Sequence, residues 1–165
     1  MISKKIEEAF NKQINEELFS AYLYLSMSAQ FEAMNLGGFA HWMRVQAQEE
    51  TSHAMKFFKY LYERGGQVAL SAIEGPQTEW KDALEMFEDA YKHERKITGL
   101  IHGLADLADK EKDRASLLFL QWFIEEQVEE EKHADEIVQT IKQVAKAPGA
   151  MYMLDKQLGS RAAGK

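Results

Sequence analysis

The stretch QWFIEEQVEEEKH, Gln121 to His133, carries five glutamates within seven residues and then a histidine. Carboxylates at that density form either a solvated face or a ligand set for a hard cation, which oxygen donors suit. On a helix Glu126 meets Glu129 and Glu130 at spacings of three and four, a repulsion that a bound cation would relieve. A second unit stands earlier in the chain. Glu50 and His53 form Glu-x-x-His, which puts a carboxylate and an imidazole on one face of a helix.

The elements that position these residues are read from periodicity and breakers. Four long helical patterns, about 4–34, 38–65, 81–109 and 114–145, precede a short fifth at about 150–159. NLGG (35–38) and RGG (64–66) read as glycine stops, DKEKD (109–113) as a polar turn, and APG (147–149) as the end of the fourth helix. In the loop EGPQTEW (74–80), Thr78 is the expected N-cap ahead of Trp80. The connections near 35–38 and 110–113 are short and join antiparallel neighbours. The one between, about 66–80, is long. About 15 extended residues cover roughly 50 Å, and a helix of about 28 residues is roughly 42 Å long. That segment can therefore run the length of a bundle and start the third helix parallel to the second. The expected fold is all-α: a four-helix bundle over about 4–145 with one long crossover between helices 2 and 3, a short C-terminal helix, and a single domain over 1–165.

Each long helix carries an acid inside its own apolar stripe. The first runs Phe10, Ile14, Glu17, Ala21, Tyr24 and the second Met43, Gln46, Glu50, His53, Phe57. The third runs Phe87, Tyr91, Glu94, Thr98, Ile101 and the fourth Phe123, Gln127, Glu130, Ala134, Ile137. All four acids lie near mid-helix, so a bundle brings them to one height. A single such acid is readily a snorkelling surface residue, but four at matched depth are not, since an unpaired buried carboxylate costs several kcal/mol. A metal pair is the simplest partner. Oxygen ligands with one nitrogen suit iron or manganese better than copper, and zinc stays open as an occupant. His133 repeats the spacing as Glu130-x-x-His133, but it falls at the edge of the stripe and reads, like His41, His93 and His102, as a surface or interface residue.

Composition narrows the alternatives. The chain has 165 residues, a net charge of -7 and no cysteine. The charge argues against nucleic acid and for cations. Lack of cysteine removes disulfides, thiolate metal sites and thiol nucleophiles, and fits a cytoplasmic setting. Neither an apolar signal core in MISKKIEEAF nor an apolar run of about 20 residues is found, so no membrane association is expected.

At these residues the chain resembles the prokaryotic non-haem ferritins, over nearly its whole length. The most specific stretches are INEELFSAYLY (14–24), QAQEETSHA (46–54), YKHE (91–94), FLQWFIEEQVEEE (119–131) and LDKQL (154–158). The resemblance implies a ferroxidase centre at Glu17, Glu50, His53, Glu94, Gln127 and Glu130, with Glu50 bridging two irons. Glu17 and His53 would hold the first iron, Glu94 and Glu130 the second, with Gln127 near the oxidant and Tyr24 and Trp122 beside the centre. It further implies a third iron site at Glu49, Glu126 and Glu129, with Glu130 shared. Glu125 and Glu131 read as solvated surface. Fe(II) and O2 or H2O2 as reactants, a ferric mineral and a homo-oligomeric shell of twenty-four subunits also follow from it. Bacterioferritins differ where this chain has Gln127-Val-Glu-Glu130 and Thr51, so haem is not expected; rubrerythrins need cysteines that are absent here.

Three functions remain distinct at this level: iron storage with Fe(II) oxidation, a di-iron enzyme acting on an organic substrate, and a structural bundle that leaves its glutamates without metal.

Overall fold

The computed structural model describes residues 1–163, which form five helices and no strand. They are α1 (Lys4–Ala33), α2 (Gly37–Glu63), α3 (Ala83–Lys110), α4 (Arg114–Val144) and α5 (Pro148–Leu158). Side-chain caps start three of them. Ser3 accepts from the Ile6 amide, Asp82 from Glu85 and Asp113 from Ser116, each satisfying an amide that has no partner inside its helix. Asp82 is the cap of α3, not Thr78: both Thr78 and Trp80 lie in the crossover before the helix begins.

Three helices end on residues with positive φ, at Asn35 (58°), Gly65 (72°) and Lys112 (57°). At each end a six-to-one bond closes the last turn: Leu36 N to Phe31 O, Gly66 N to Leu61 O, and Asp113 N to Ala108 O. In NLGG the turning residue is thus Asn35, and both glycines belong to α2.

The crossover, residues 64–82, is tied along α1 from one end to the other. Asn11 donates to Gln67 O and accepts from Ala69 N. Farther along, Asn15 donates to Ala72 O and Ser26 to Gln77 O. Gln30 both donates to Trp80 O and accepts from Trp80 N. Backbone groups that an extended segment would leave open are satisfied by these α1 side chains. Because α1 and α2 are antiparallel, a crossover ending beside Gln30 starts α3 at the same end as α2. The two helices therefore run parallel, and the fold is a four-helix bundle with a long crossover and a short fifth helix, as expected.

The core is divided in two. At one end Tyr24, Met27, Phe31, Phe39, Met43 and Phe87 pack with Ile137 and Ile141. At the other, Phe10, Ile14, Phe57, Leu61, Ile97, Leu120 and Phe123 pack together. Between them the four long helices bury polar side chains: Glu17, Gln46, Glu50, His53, Glu94, Gln127 and Glu130.

Helix α5 returns to the bundle. Leu154 and Leu158 are buried in the first cluster, while Tyr152 and Met153 stay exposed. Asp155 Oδ1 accepts from Gly38 N at 2.8 Å and Phe39 N at 3.1 Å, which gives α2 the cap that its own Leu36 cannot supply. A Cβ at residue 38 would stand 1.6 Å from the Asp155 carbonyl oxygen, so only glycine permits the approach. Gly38→Ala is expected to undock α5 and lower stability by about 1–3 kcal/mol, as overpacking does. Asp155→Ala should cost about 1 kcal/mol through the lost cap. Both act on one contact, so thermal unfolding of the double variant should fall short of the sum of the single losses.

Candidate metal centre

Glu17 on α1 and Glu50 and His53 on α2 form a three-ligand group whose donor atoms all lie within 4.8 Å of one another. His53 Nδ1 is 3.3 Å from Glu50 Oε2 and 3.8 Å from Glu17 Oε2. All three residues are buried. Glu17 Oε1 accepts from Gln13 at 2.8 Å, but Glu17 Oε2 is buried with no hydrogen-bond partner. A buried carboxylate oxygen without a donor is costly, and a cation between Glu17, Glu50 and His53 would satisfy it. The residues present fit a metal.

Glu94 and Glu130 face this group from α3 and α4, and the charges of both bear on Glu50. Their carboxylates are already engaged. Tyr24 Oη donates to Glu94 Oε1, and Gln127 Nε2 donates to Glu94 Oε2 at 3.1 Å. Gln46 Nε2 donates to Glu130 Oε2 at 2.6 Å and to Glu50 Oε1 at 3.2 Å, so one amide links the two acids. Gln127 also reaches the Glu94 carbonyl and Thr98 Oγ1, and here it holds a carboxylate in place. Trp122 stands edge-on to His53 with ring centroids 5.4 Å apart.

Burial dominates the electrostatics. Desolvation pushes Glu17 and Glu50 well above the usual carboxylate range. The Glu50 charge adds to this at Glu17, and those of Glu94 and Glu130 add to it at Glu50. Glu94 is raised by burial against the hydrogen bonds from Tyr24 and Gln127. Glu130 is pushed up to about 8 by burial and by the charge of Glu94. Burial and the Glu94 carboxylate also hold the Tyr24 phenol well above its ordinary value, which keeps it a donor.

The acids expected for a third site are arranged differently. Glu49 is half-buried and bound by Arg161, whose Nη2 is 2.6 Å from Glu49 Oε2. Glu126 Oε1 lies 4.0 Å from His53 Nε2, and Glu129 is exposed. Glu126, Glu129 and Glu130 border a common cavity of about 720 Å³ with Glu49. Two expectations need correction. His93 is buried rather than superficial: its Nε2 is 2.7 Å from Ser20 Oγ, and burial lowers its pKa to about 4. Glu131, read as solvated, is half-buried and accepts from Thr98 Oγ1 at 2.6 Å. His41 is half-buried, while His102 and His133 are exposed.

Sequence reading gave no role to Gln13, Gln46 and Arg161. The first two had a signal, since each glutamine stands four residues before a stripe glutamate. Arg161 had none, because it meets Glu49 only through the fold.

A buried carboxylate and histidine layer spanning four helices defines a class of metal-handling bundles. The family model described as Ferritin-like domain matches residues 7–144, and the chain belongs to that family. Among its relatives, the bacterial non-heme ferritin of Bacteroides fragilis (strain 638R) is 45% identical over 161 residues, covering 98% of this chain and 100% of the relative. The protein of the same name from Staphylococcus saprophyticus subsp. saprophyticus is 35% identical over 98% of this chain and 96% of its own length. In structure the chain is similar to an engineered closed form of the Archaeoglobus fulgidus ferritin. The TM-score there is 0.98 at 49% identity, with 99% of this chain and 100% of that one covered. The open pore ferritin of the same archaeon gives 0.97 at 49% identity, over 98% and 100%.

A carboxyl whose pKa is higher folded than unfolded binds more protons when folded, so its contribution to stability is lost as pH rises. For Glu130 that window runs from the ordinary 4.5 to about 8, and Glu17, Glu50 and Glu94 shift in the same direction. His93, lowered to about 4, works in the opposite sense up to its ordinary 6.5, so the melting temperature of the metal-free protein is expected to fall chiefly between pH 6.5 and about 8. Glu130→Gln should flatten the slope. Fe(II), which binds only the deprotonated ligands, should reverse it at the upper end.

Proposed function

We propose that the chain stores iron and oxidises Fe(II) at a dinuclear centre, then passes ferric iron to a mineral within an oligomeric shell. The single observation that carries this is the buried Glu17–Glu50–His53 group with its unpartnered Glu17 oxygen. Family membership supplies the storage role. In this reading Glu17 and His53 hold the first iron, Glu50 bridges, and Glu94 and Glu130 take the second. Gln127 and Tyr24 orient Glu94, and Gln46 fixes Glu50 against Glu130. Two ions roughly 3.5–4 Å apart let one small molecule engage both.

Each Fe(II) gives up one electron. One O2 takes both electrons with two protons to leave hydrogen peroxide; with hydrogen peroxide as oxidant, the same two electrons and two protons give two waters. Carboxylates favour the ferric products because they are hard anions. The raised pKa values favour the protonated carboxyls in the metal-free layer, so Fe(II) competes with protons for these ligands. Glu49, Glu126 and Glu129, with Glu130 shared, form a third and weaker iron site that changes stoichiometry rather than the first oxidation.

An organic substrate is disfavoured by a specific feature. The cavity that reaches His53 is bordered by Glu49, Glu126 and Glu129, which attract a cation and repel an apolar molecule. The shell of twenty-four subunits rests on family resemblance, as does an iron-only cofactor set without haem. No described helix is long and apolar enough to cross a membrane.

Stopped-flow absorbance after mixing apo protein with Fe(II) in air tests the centre. Glu50→Ala is expected to remove the fast phase. Gln46→Ala should slow it by roughly 10–100-fold, the range typical of lost outer partners of metal ligands. An initial rate in Glu50→Ala equal to wild type would overturn the dinuclear centre. Separately, anaerobic Fe(II) titration of the Glu49→Ala/Glu126→Ala/Glu129→Ala variant should show fewer bound irons per subunit than wild type.

A further inference from the structure

The C-terminal segment after α5 folds back over the acids of α2. Arg161 Nη2 is 2.6 Å from Glu49 Oε2, and both side chains are about one-fifth exposed. Three further contacts hold the same residue. Its Nη1 donates to Trp42 O at 3.3 Å, its guanidinium lies 4.3 Å from the centroid of the Trp42 ring, and its carbonyl oxygen is 2.8 Å from His41 Nε2. The nearby Lys56 is not equivalent, since its ammonium sits 4.1 Å over the Trp122 ring. Around the cavity that Arg161 borders stand Glu49, Glu126, Glu129, Glu130 and His133. A cation is therefore already seated on one acid of this cluster, and the chain itself supplies it.

We propose that Arg161 is a built-in competitor for Fe(II) at Glu49: the guanidinium occupies this carboxylate in the iron-free protein, and iron at the third site displaces it and releases the C-terminal segment. The inference rests on the third-site reading given above. Its physical basis is competition between two cations. Arg161 holds Glu49 Oε2 at 2.6 Å, so a metal on that oxygen must displace it, and a metal on Oε1 alone would sit beside an uncompensated guanidinium charge. Displacement also breaks the stacking on Trp42, so every iron bound there works against two contacts. The consequence is a threshold. The buried dinuclear ligands lie beyond the reach of this arginine contact and fill first, whereas the third position fills only when Fe(II) is abundant enough to expel Arg161.

The test uses full-length apo protein and Fe(II) alone under anaerobic conditions, with wild type, Arg161→Gln and the Glu49→Ala/Glu126→Ala/Glu129→Ala variant. Titration calorimetry is expected to show the weakest iron equivalent tightened by about fivefold in Arg161→Gln, the scale of one partly exposed ion pair. The first two equivalents should be unchanged. Hydrogen exchange read by mass spectrometry follows the segment itself, whose amides at Gly159, Ser160 and Arg161 are bonded to Asp155 O, Gln157 O and Leu158 O. Exchange in wild type should rise as the third equivalent binds and stay flat while the first two bind. In Arg161→Gln it should be fast before any iron is added. If the triple variant loses an equivalent but Arg161→Gln binds it with wild-type affinity, or the segment stays protected when the site fills, the competitor is overturned and the third site stands. If the triple variant binds as many irons as wild type, both are overturned together.

Discussion

Four carboxylates removed from water in the middle of a helical bundle are the constraint to which the rest of the molecule responds. Ionised and unpaired, Glu17, Glu50, Glu94 and Glu130 would each cost several kcal/mol, and their mutual repulsion would add to it. The metal-free protein meets this cost in two ways. Burial raises the pKa values, which favours the neutral carboxyls, and donors from Gln13, Gln46, Tyr24 and Gln127 fix individual oxygens. One oxygen of Glu17 is left over, beside His53. Gln46 Oε1 of the same layer is likewise buried without a partner, and a layer with open acceptor oxygens is arranged for a cation that the polypeptide does not itself provide.

The scaffold supplies the stiffness that such a layer needs. Aromatic and aliphatic clusters close it above and below, with Phe57 tilted against Phe123 on one side and Phe31 stacked on Phe39 on the other. These clusters bury the layer along the bundle axis, and that burial is the largest cause of the raised pKa values. The long crossover brings α3 in parallel to α2, so that Glu94 arrives at the height of Glu50. Its course is held by Asn11, Asn15, Ser26 and Gln30 of α1.

The C-terminal region joins the fold to the acidic surface beside the centre. Helix α5 is fixed to the start of α2 through Asp155 and Gly38. From that anchor the chain has only a few residues to reach Glu49, and Arg161 arrives at Glu49 while resting on Trp42. Charges close in space along this path belong to residues 112 positions apart, so the electrostatics of the outer acids depend on a helix that contributes nothing to the buried layer.

Sequence alone determined the parts whose physics is local. Helix periodicity placed Glu17, Glu50, Glu94 and Glu130 within apolar stripes, breakers bounded the helices to within about two residues, and the crossover was long enough to allow the parallel topology. The i, i+3 spacing of Glu50 and His53 guaranteed that they share a face. Tertiary structure decided what depends on partners distant in the chain. It made Asp82 the cap in place of Thr78, because docking of Trp80 on Gln30 keeps the segment before residue 82 extended. It buried His93 against Ser20 and turned Glu131 towards Thr98, since both residues face a neighbouring helix whose position no local pattern encodes. It also gave Glu49 a counter-ion from the far end of the chain. Side-chain spacing within one helix is fixed by the backbone, but which charges meet across helices is fixed only once they pack.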